Sequence, residues 1–319
     1  AQWPHSSPWV RPAKAATTVT ARRSTELPKG GPRLLLALAL GTVAGLAQSA
    51  DNPAAVERGR YLVHAGGCLT CHTADRPDAV PLAGGRAIKT AFGTFYPPNL
   101  TPDAATGLGN WTDADLSRAL RGGVAPDGSY YYPVFPYPAY AGLADADVAA
   151  IGAYLRSLKP VHKVTAVHEL PWYLSSRLVM LGWNFLNFTP GPYQPDPTRG
   201  KAWNRGAYLV RHLGHCGECH TPRNILGGLD HSREFAGNPA GPDGEKIPAI
   251  TTDPKTGIGA WSVDELVLFL DMGVMPDGDF AGSAMSDVID DNTSKLTPED
   301  RLAIATYLES PARPSGEAR

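Results

Sequence analysis

The sequence predicts a mostly α-helical chain made of two tandem, similar domains, and three observations carry that prediction. Segments of the first half recur in the second. Helix-start signals stand at matched positions in both copies, and the apolar–polar alternation of strands is almost absent. Length agrees, since 319 residues hold two compact units with chain to spare. Apolar residues at 43% against 19% charged are enough to build cores, and Gly 34 with Pro 30 predicts short helices joined by turn-rich loops.

Residues 1–50 read as a secretory signal with an upstream segment. Lys29 and Arg33 precede an apolar run from Leu34 to Leu46, too short to span a bilayer comfortably, followed by the small residues Ala47, Ser49 and Ala50. An uncleaved N-terminal anchor is the alternative. The rest of the chain carries 23 basic and 30 acidic side chains, the wrong sign for a nucleic-acid binder.

The first domain is placed at 51–160 and the second at 199–311, with a tail at 312–319. Arg58-Gly59-Arg60-Tyr61-Leu62-Val63 returns as Arg205-Gly206-Ala207-Tyr208-Leu209-Val210, and residues 98–135 align without gaps on 248–285 at an offset of 150, with 14 of 38 pairs identical. Leu143 to Leu155 matches Leu296 to Leu308. Each half therefore reads as a first helix, a loop, a helix after Trp111 or Trp261, a second loop and a final helix. Thr112 and Ser262 stand as N-caps before acidic first turns, and Thr297 does the same for the last helix. The linker, 161–198, carries an aromatic-rich helix around Leu178 to Leu186. The expectation is that it packs across the domain seam; the alternative is a partner or peripheral membrane contact through its aromatics.

At the end of each first helix comes the chemistry. Cys68-Leu69-Thr70-Cys71-His72 recurs as Cys216-Gly217-Glu218-Cys219-His220. One helical turn carrying Cys, two spacers, Cys and His offers two thiols to the vinyl groups of a haem and an imidazole to its iron, so the pattern points to covalent haem c, two per chain. A zinc site from four cysteines, a thioredoxin-like pair or structural disulfides would not require the repeated His. Cys68, Cys71, Cys216 and Cys219 are thus the attachment residues, with His72 and His220 as proximal iron ligands.

The second axial ligand is sought among four methionines. Met285, in the expected loop Gly282-Ser283-Ala284-Met285, is the candidate for the iron held by His220. Met180, Met272 and Met275 read as core. Phe135 stands at the position equivalent to Met285 and cannot ligate iron, so the two haems should differ. Either the first is five-coordinate with Phe135 shielding its open face, or a donor among Tyr130, Tyr131, Tyr132, Tyr137, His64, His162 and His168 takes the place. Arg86 and Arg223 read as propionate partners or solvated side chains, Trp111 and Trp261 as pocket packing, and His212 and His215 as helix and pocket residues.

Together these residues resemble the dihaem c-type cytochromes related to the cytochrome subunit of membrane-bound alcohol, aldehyde and gluconate dehydrogenases. The segments that carry the resemblance include Leu82-Ala83-Gly84-Gly85-Arg86, the Phe92-to-Asp103 loop, Thr106 to Trp111, Gly191 to Pro197, Gly214 to Asn224 and Asp291-Asn292-Thr293. The resemblance implies class I cytochrome c-like domains, each wrapped around one haem, in a periplasmic carrier, free or peripheral on the inner membrane. It would take electrons from a periplasmic dehydrogenase and pass them to quinone or another cytochrome. Two features depart from that subunit: it has a third haem domain, whereas no third CxxCH occurs here, and its residue at the Phe135 position is typically Met. No nucleophile or substrate-binding signature marks the isolated chain as an enzyme. A dihaem redox enzyme of peroxidase or thiosulfate-oxidising type, using an open first haem, is the alternative, and a haem-based gas sensor ranks behind it. The acidic charge expects a partner with basic surface around its redox centre.

Overall fold

The computed structural model describes residues 52–241 and 244–310, which belong to one compact unit. The signal segment, the upstream segment and the tail lie outside the described residues. Helix α1 (Pro53–Ala65) starts behind Asn52, whose side chain accepts from the Ala54 amide, with Pro53 in the first turn. It stops at Gly66, and Gly67 turns left-handed at φ 63°. The first CxxCH is therefore a separate turn, α2 (Cys68–His72), rather than the end of one long helix. A short antiparallel hairpin, β1 (Ile88–Thr90) and β2 (Gly93–Phe95), pairs Ile88 with Phe95; the sequence did not suggest it, because three-residue strands are too short to show alternation. Then come α3 (Asp113–Gly122), α4 (Tyr137–Tyr140) and α5 (Asp145–Ser157).

The linker carries α6 (Val179–Asn187), and the second half contains α7 (Lys201–Tyr208), α8 (Gly217–His220), α9 (Val263–Met272), α10 (Ser283–Asp291) and α11 (Pro298–Leu308). The three expected caps are present. Thr112 with Asp115 and Ser262 with Glu265 form reciprocal capping boxes, and Thr297 accepts from the Asp300 amide.

The two halves repeat one packing scheme. α1 crosses α5 at Gly59, where a Cβ would collide with the Ala150 carbonyl, and α7 crosses α11 at Gly206, where it would collide with that of Ala303. Only glycine lets the backbones approach so closely. Beyond these crossings the motifs fall out of step by one residue: the offset is 147 from Arg58 to Arg205 but 148 from Cys68 to Cys216. The extra residue is absorbed by a π-helical turn, Leu209–Leu213. Gly66 donates to the carbonyl four residues back, Leu62, whereas Gly214 donates to the one five back, Leu209.

Between the halves the contacts are exchanged reciprocally. Arg58 pairs with Asp147 (2.6 Å), and Tyr208 of the other half donates to the same carboxylate (2.7 Å). Arg205 pairs with Asp300 (2.6 Å), which receives the Tyr61 hydroxyl from the first half (2.5 Å). His64 Nδ1 donates to Asp291 O and His212 Nδ1 to Ala139 O, both at 2.9 Å. Each half gives what it receives, the pattern of a two-fold dimer interface within one chain. The main core draws on both halves, joining Leu62, Val63 and Ile151 with Leu209, Leu213 and Ile304.

One expectation about burial fails and another holds only in part. Met272 is 58% exposed at the end of α9 rather than in a core. The linker helix does pack on both halves, through Tyr137 of the first and Asn224 and Leu226 of the second, and Met180 is buried against Phe95 and Tyr132, but Leu178, Leu181, Phe185 and Leu186 face outward. α6 is apolar nearly all round, so hydropathy alone does not say which side faces in. Its two asparagines, Asn184 and Asn187, turn inward to hydrogen-bond partners and take the helix face with them.

Candidate functional site

In each half, one short turn presents two thiols and an imidazole. All four cysteines are free thiols, and among the described residues no cluster of three or more His, Cys, Asp or Glu side chains is gathered as for a zinc site. Burial pushes the thiols of Cys68 and Cys216 up to about 12 and that of Cys219 to about 11, and it raises Cys71 as well. They are neutral at physiological pH, the opposite of a thioredoxin-like thiolate.

The histidines are held in one tautomer. His72 Nδ1–H donates to the Pro98 carbonyl and His220 Nδ1–H to that of Pro248, both at 2.8 Å. With Nδ1 committed, the Nε2 lone pair is left for a metal, the standard arrangement of a ligating imidazole and its carbonyl support. Burial lowers the His72 pKa to about 4 and that of His220 in the same direction, so both rings are neutral and able to ligate. The two thiols and oriented imidazole of each turn are the donor set that a covalently attached haem requires.

The turns are braced identically. After each, a threonine hydroxyl, Thr73 or Thr221, accepts the amide of a residue in the left-handed region, Leu82 (φ 63°) or Phe235 (φ 62°). Gly84 and Gly237 then donate back to the His72 and His220 carbonyls. Arg86 and Arg223 are half-buried rather than solvated and clamp equivalent carbonyls within the motifs, Thr70 O and Glu218 O, both at 2.8 Å. Arg86 also pairs with Asp287 of α10 (3.1 Å), and Arg223 with Glu218 (2.6 Å). Pro98 and Pro248 are an identical pair in the duplicated block, yet nothing in the sequence marks them as the acceptors of the imidazoles. A backbone carbonyl carries no side-chain signature.

The two motifs face one another. His215 Nε2 lies 3.2 Å from Gly66 O, and its ring edge meets Tyr140 at 5.4 Å between centroids. His215 and His212 are thus inter-half contacts rather than simple helix or pocket residues. Met285 is not in a loop: it occupies the first turn of α10, half-buried, behind Gly282 and the left-handed Ser283. Phe135 precedes α4 within an aromatic cluster, with Tyr131, Tyr140 and Tyr137 centroids at 5.4, 5.8 and 6.3 Å. Of the other donors considered, Tyr132 and Tyr137 give their hydroxyls to Leu174 O and Asn184. His64 is committed to Asp291 O, His168 accepts from the Tyr96 amide, and His162 lies 3.4 Å from Asp103. Trp111 is half-buried against the main core, and Trp261 packs on Phe269 at 5.3 Å.

Comparison with known proteins agrees with this donor set. Residues 56–159 match the cytochrome c family model. A diheme cytochrome c-type protein of Cereibacter sphaeroides is 44% identical over 263 residues, covering 79% of this chain and 84% of that protein. The chain belongs to the c-type cytochromes. It is also 39% identical over 290 residues to the gluconate 2-dehydrogenase cytochrome c subunit of Pantoea cypripedii, and 37% over 304 residues to the cytochrome c subunit of the alcohol dehydrogenase (quinone) of Gluconobacter oxydans. This cytochrome spans 64% and 62% of those two subunits. Among the described residues, no helix is long and apolar enough to cross a membrane.

Proposed function

We propose that this cytochrome is an exported dihaem electron carrier of two cytochrome c-like domains. It would receive electrons from a periplasmic dehydrogenase and deliver them to quinone or another cytochrome. The observation that carries the reading is the matched pair of Cys–Cys–His turns, each with its imidazole locked by a proline carbonyl. Cys68 and Cys71 would hold one haem and Cys216 and Cys219 the other, with His72 and His220 as proximal ligands. Bound haem iron supplies one-electron exchange between Fe(II) and Fe(III). The chain's own residues fix the ligating tautomer, keep the imidazoles neutral and set the two attachment turns against each other through His215 and Gly66. Met285 is the sulfur ligand proposed for the second site, and Phe135 stands in its place in the first.

The dehydrogenase partner is proposed from the subunits of gluconate and alcohol dehydrogenases to which the chain is similar, and the quinone from the second of these, which belongs to an alcohol dehydrogenase (quinone). A peroxidase-type reading would need a polar acid–base group beside an open first haem. The surroundings of Phe135 are aromatic rings, which favours the carrier. Intact mass of the protein matured in an export-competent host should exceed that of the polypeptide by two haems. Replacing Cys68 and Cys71 with alanine should remove one of them. A bare polypeptide would overturn the reading.

A further inference from the structure

The linker builds an apolar platform that points away from the protein. Trp172 is 85% exposed and Phe185 is 88% exposed, with Leu178 and Leu181 on the same outward side of α6. Beside them is the turn after the second CxxCH, where Ile225 is 94% exposed and Leu226 half-exposed. Two bonds lock that turn to the helix: Trp183 Nε1–H donates to Leu226 O (2.9 Å), and Asn224 Nδ2 donates to Asn187 Oδ1 (3.0 Å). Tyr137 holds Asn184 from within the first half. The helix is therefore inverted relative to a soluble surface helix: its hydrogen-bonding groups face the protein and its hydrocarbon faces out.

The charge pattern selects the occupant. From Leu170 to Pro195 the sequence holds one ionised side chain, Arg177, and none stands between Asn224 and Leu229. Arg177 is turned inward, donating to Tyr130 O and lying over the Tyr131 and Tyr132 rings. A redox partner guided by electrostatics would meet charge at its docking face, and this face offers none. An acid-free apolar surface with Trp172 and Tyr173 at one end matches the bilayer interface, where amphipathic aromatics settle and hydrocarbon replaces water. We propose that the platform formed by α6 and the 224–228 turn inserts into the surface of a lipid bilayer. α6 has nine residues, about 13 Å of helix, so it would lie in the interface rather than cross it. Ile225 follows His220 by five residues, which would bring the second site to the membrane; this consequence alone rests on the carrier reading.

The test is flotation of the purified holoprotein with vesicles of phosphatidylcholine alone and with added phosphatidylglycerol. The wild type should float with both and stay bound at high salt. A variant with Leu181→Ser, Phe185→Ser and Ile225→Ser should lose binding about tenfold or more, while its haem absorption and melting transition are retained. Three outcomes would overturn the proposal: no flotation of the wild type, flotation abolished by salt, or a wild-type dimer that the variant converts to monomer without any vesicle binding. The last would assign the platform to a second copy of the chain. None of these readouts depends on electron flow.

Discussion

Tyr61→Phe and Tyr208→Phe are the same substitution at equivalent positions, yet the structure makes their costs unequal. Tyr208 donates to Oδ2 of Asp147, whose only other side-chain partner among the described residues is Arg58, and Arg58 bonds Oδ1 through both Nε and Nη2. Asp147 is 3% exposed, so removing the phenol leaves a buried carboxylate oxygen without a donor. The Ala144 amide also loses its acceptor, as the Thr297 amide does in Tyr61→Phe, so this loss is common to both. A hydrogen bond to a charged group contributes about 1.5–3 kcal/mol, and an orphaned buried acceptor puts the loss near the upper end. Asp300 is served differently: Arg205 bonds Oδ1 through Nε and Oδ2 through Nη2, so both oxygens keep a donor when Tyr61 loses its hydroxyl. That substitution should cost about 1.5 kcal/mol, the lower end of the range. Urea unfolding of the holoproteins, with unchanged m-values, measures both. Equal losses, or a larger loss for Tyr61→Phe, would refute the assignment of the two carboxylates.

Other outcomes follow from the same contacts. Gly59→Ala and Gly206→Ala should each destabilise by about 2–4 kcal/mol, because the new methyl meets a helix backbone that cannot give way. Gly122→Ala meets nothing within 4 Å and should be neutral or slightly stabilising; thermal melts compare the three. Burial alone would raise the Asp300 pKa, but the bonds from Arg205 and Tyr61 outweigh it and hold the group below its ordinary 3.8. Its stabilising contribution is thus present above that value and lost as pH falls through the lower, folded one. In Arg205→Gln the burial effect is left largely unopposed, so the loss of stability between about pH 5 and pH 2 should shrink, as read by urea titration at each pH. In spectra of the oxidised protein, the Met–iron charge-transfer band should account for one haem. Met285→Leu should abolish it and Phe135→Met should double it; a wild-type band integrating to two haems would contradict the proposed asymmetry.

Much of the fold was legible because it is written in periodic or punctuating residues. Thr112, Ser262 and Thr297 cap helices where a hydroxyl ahead of acidic residues predicts them. The repeated Arg-Gly-X-Tyr-Leu-Val marks the helix pair whose glycine touches its partner. What stayed hidden depends on distant chain. The exchange of Tyr61 and Tyr208 between Asp300 and Asp147 spans 239 and 61 residues of sequence, and no local pattern announces which carboxylate a tyrosine will meet. The outward turn of α6 was equally unreadable, since it is decided by Asn184 and Asn187 finding partners in other elements.

The proposed attachment residues could be read from spacing, but their geometry could not, and the one-residue slip between the halves shows why. Before the first motif stands Gly67, left-handed at φ 63°. Its counterpart before the second is His215, held at φ 40°, where a residue with a Cβ pays for the conformation in strain. A comparison of sequences sees there only a mismatch. In the structure the strained His215 reaches across to Gly66 O, one residue before Gly67, and packs on Tyr140. A Cβ on Gly67 would be in ordinary contact with Asn292 Nδ2 at 3.5 Å and His215 Nε2 at 3.6 Å, so a side chain there would reach the His215 ring at once. The near-symmetric interface therefore holds one bridging imidazole, and the left-handed turn opposite it favours glycine. The difference between Gly-Gly-Cys and Gly-His-Cys is a consequence of the two motifs touching.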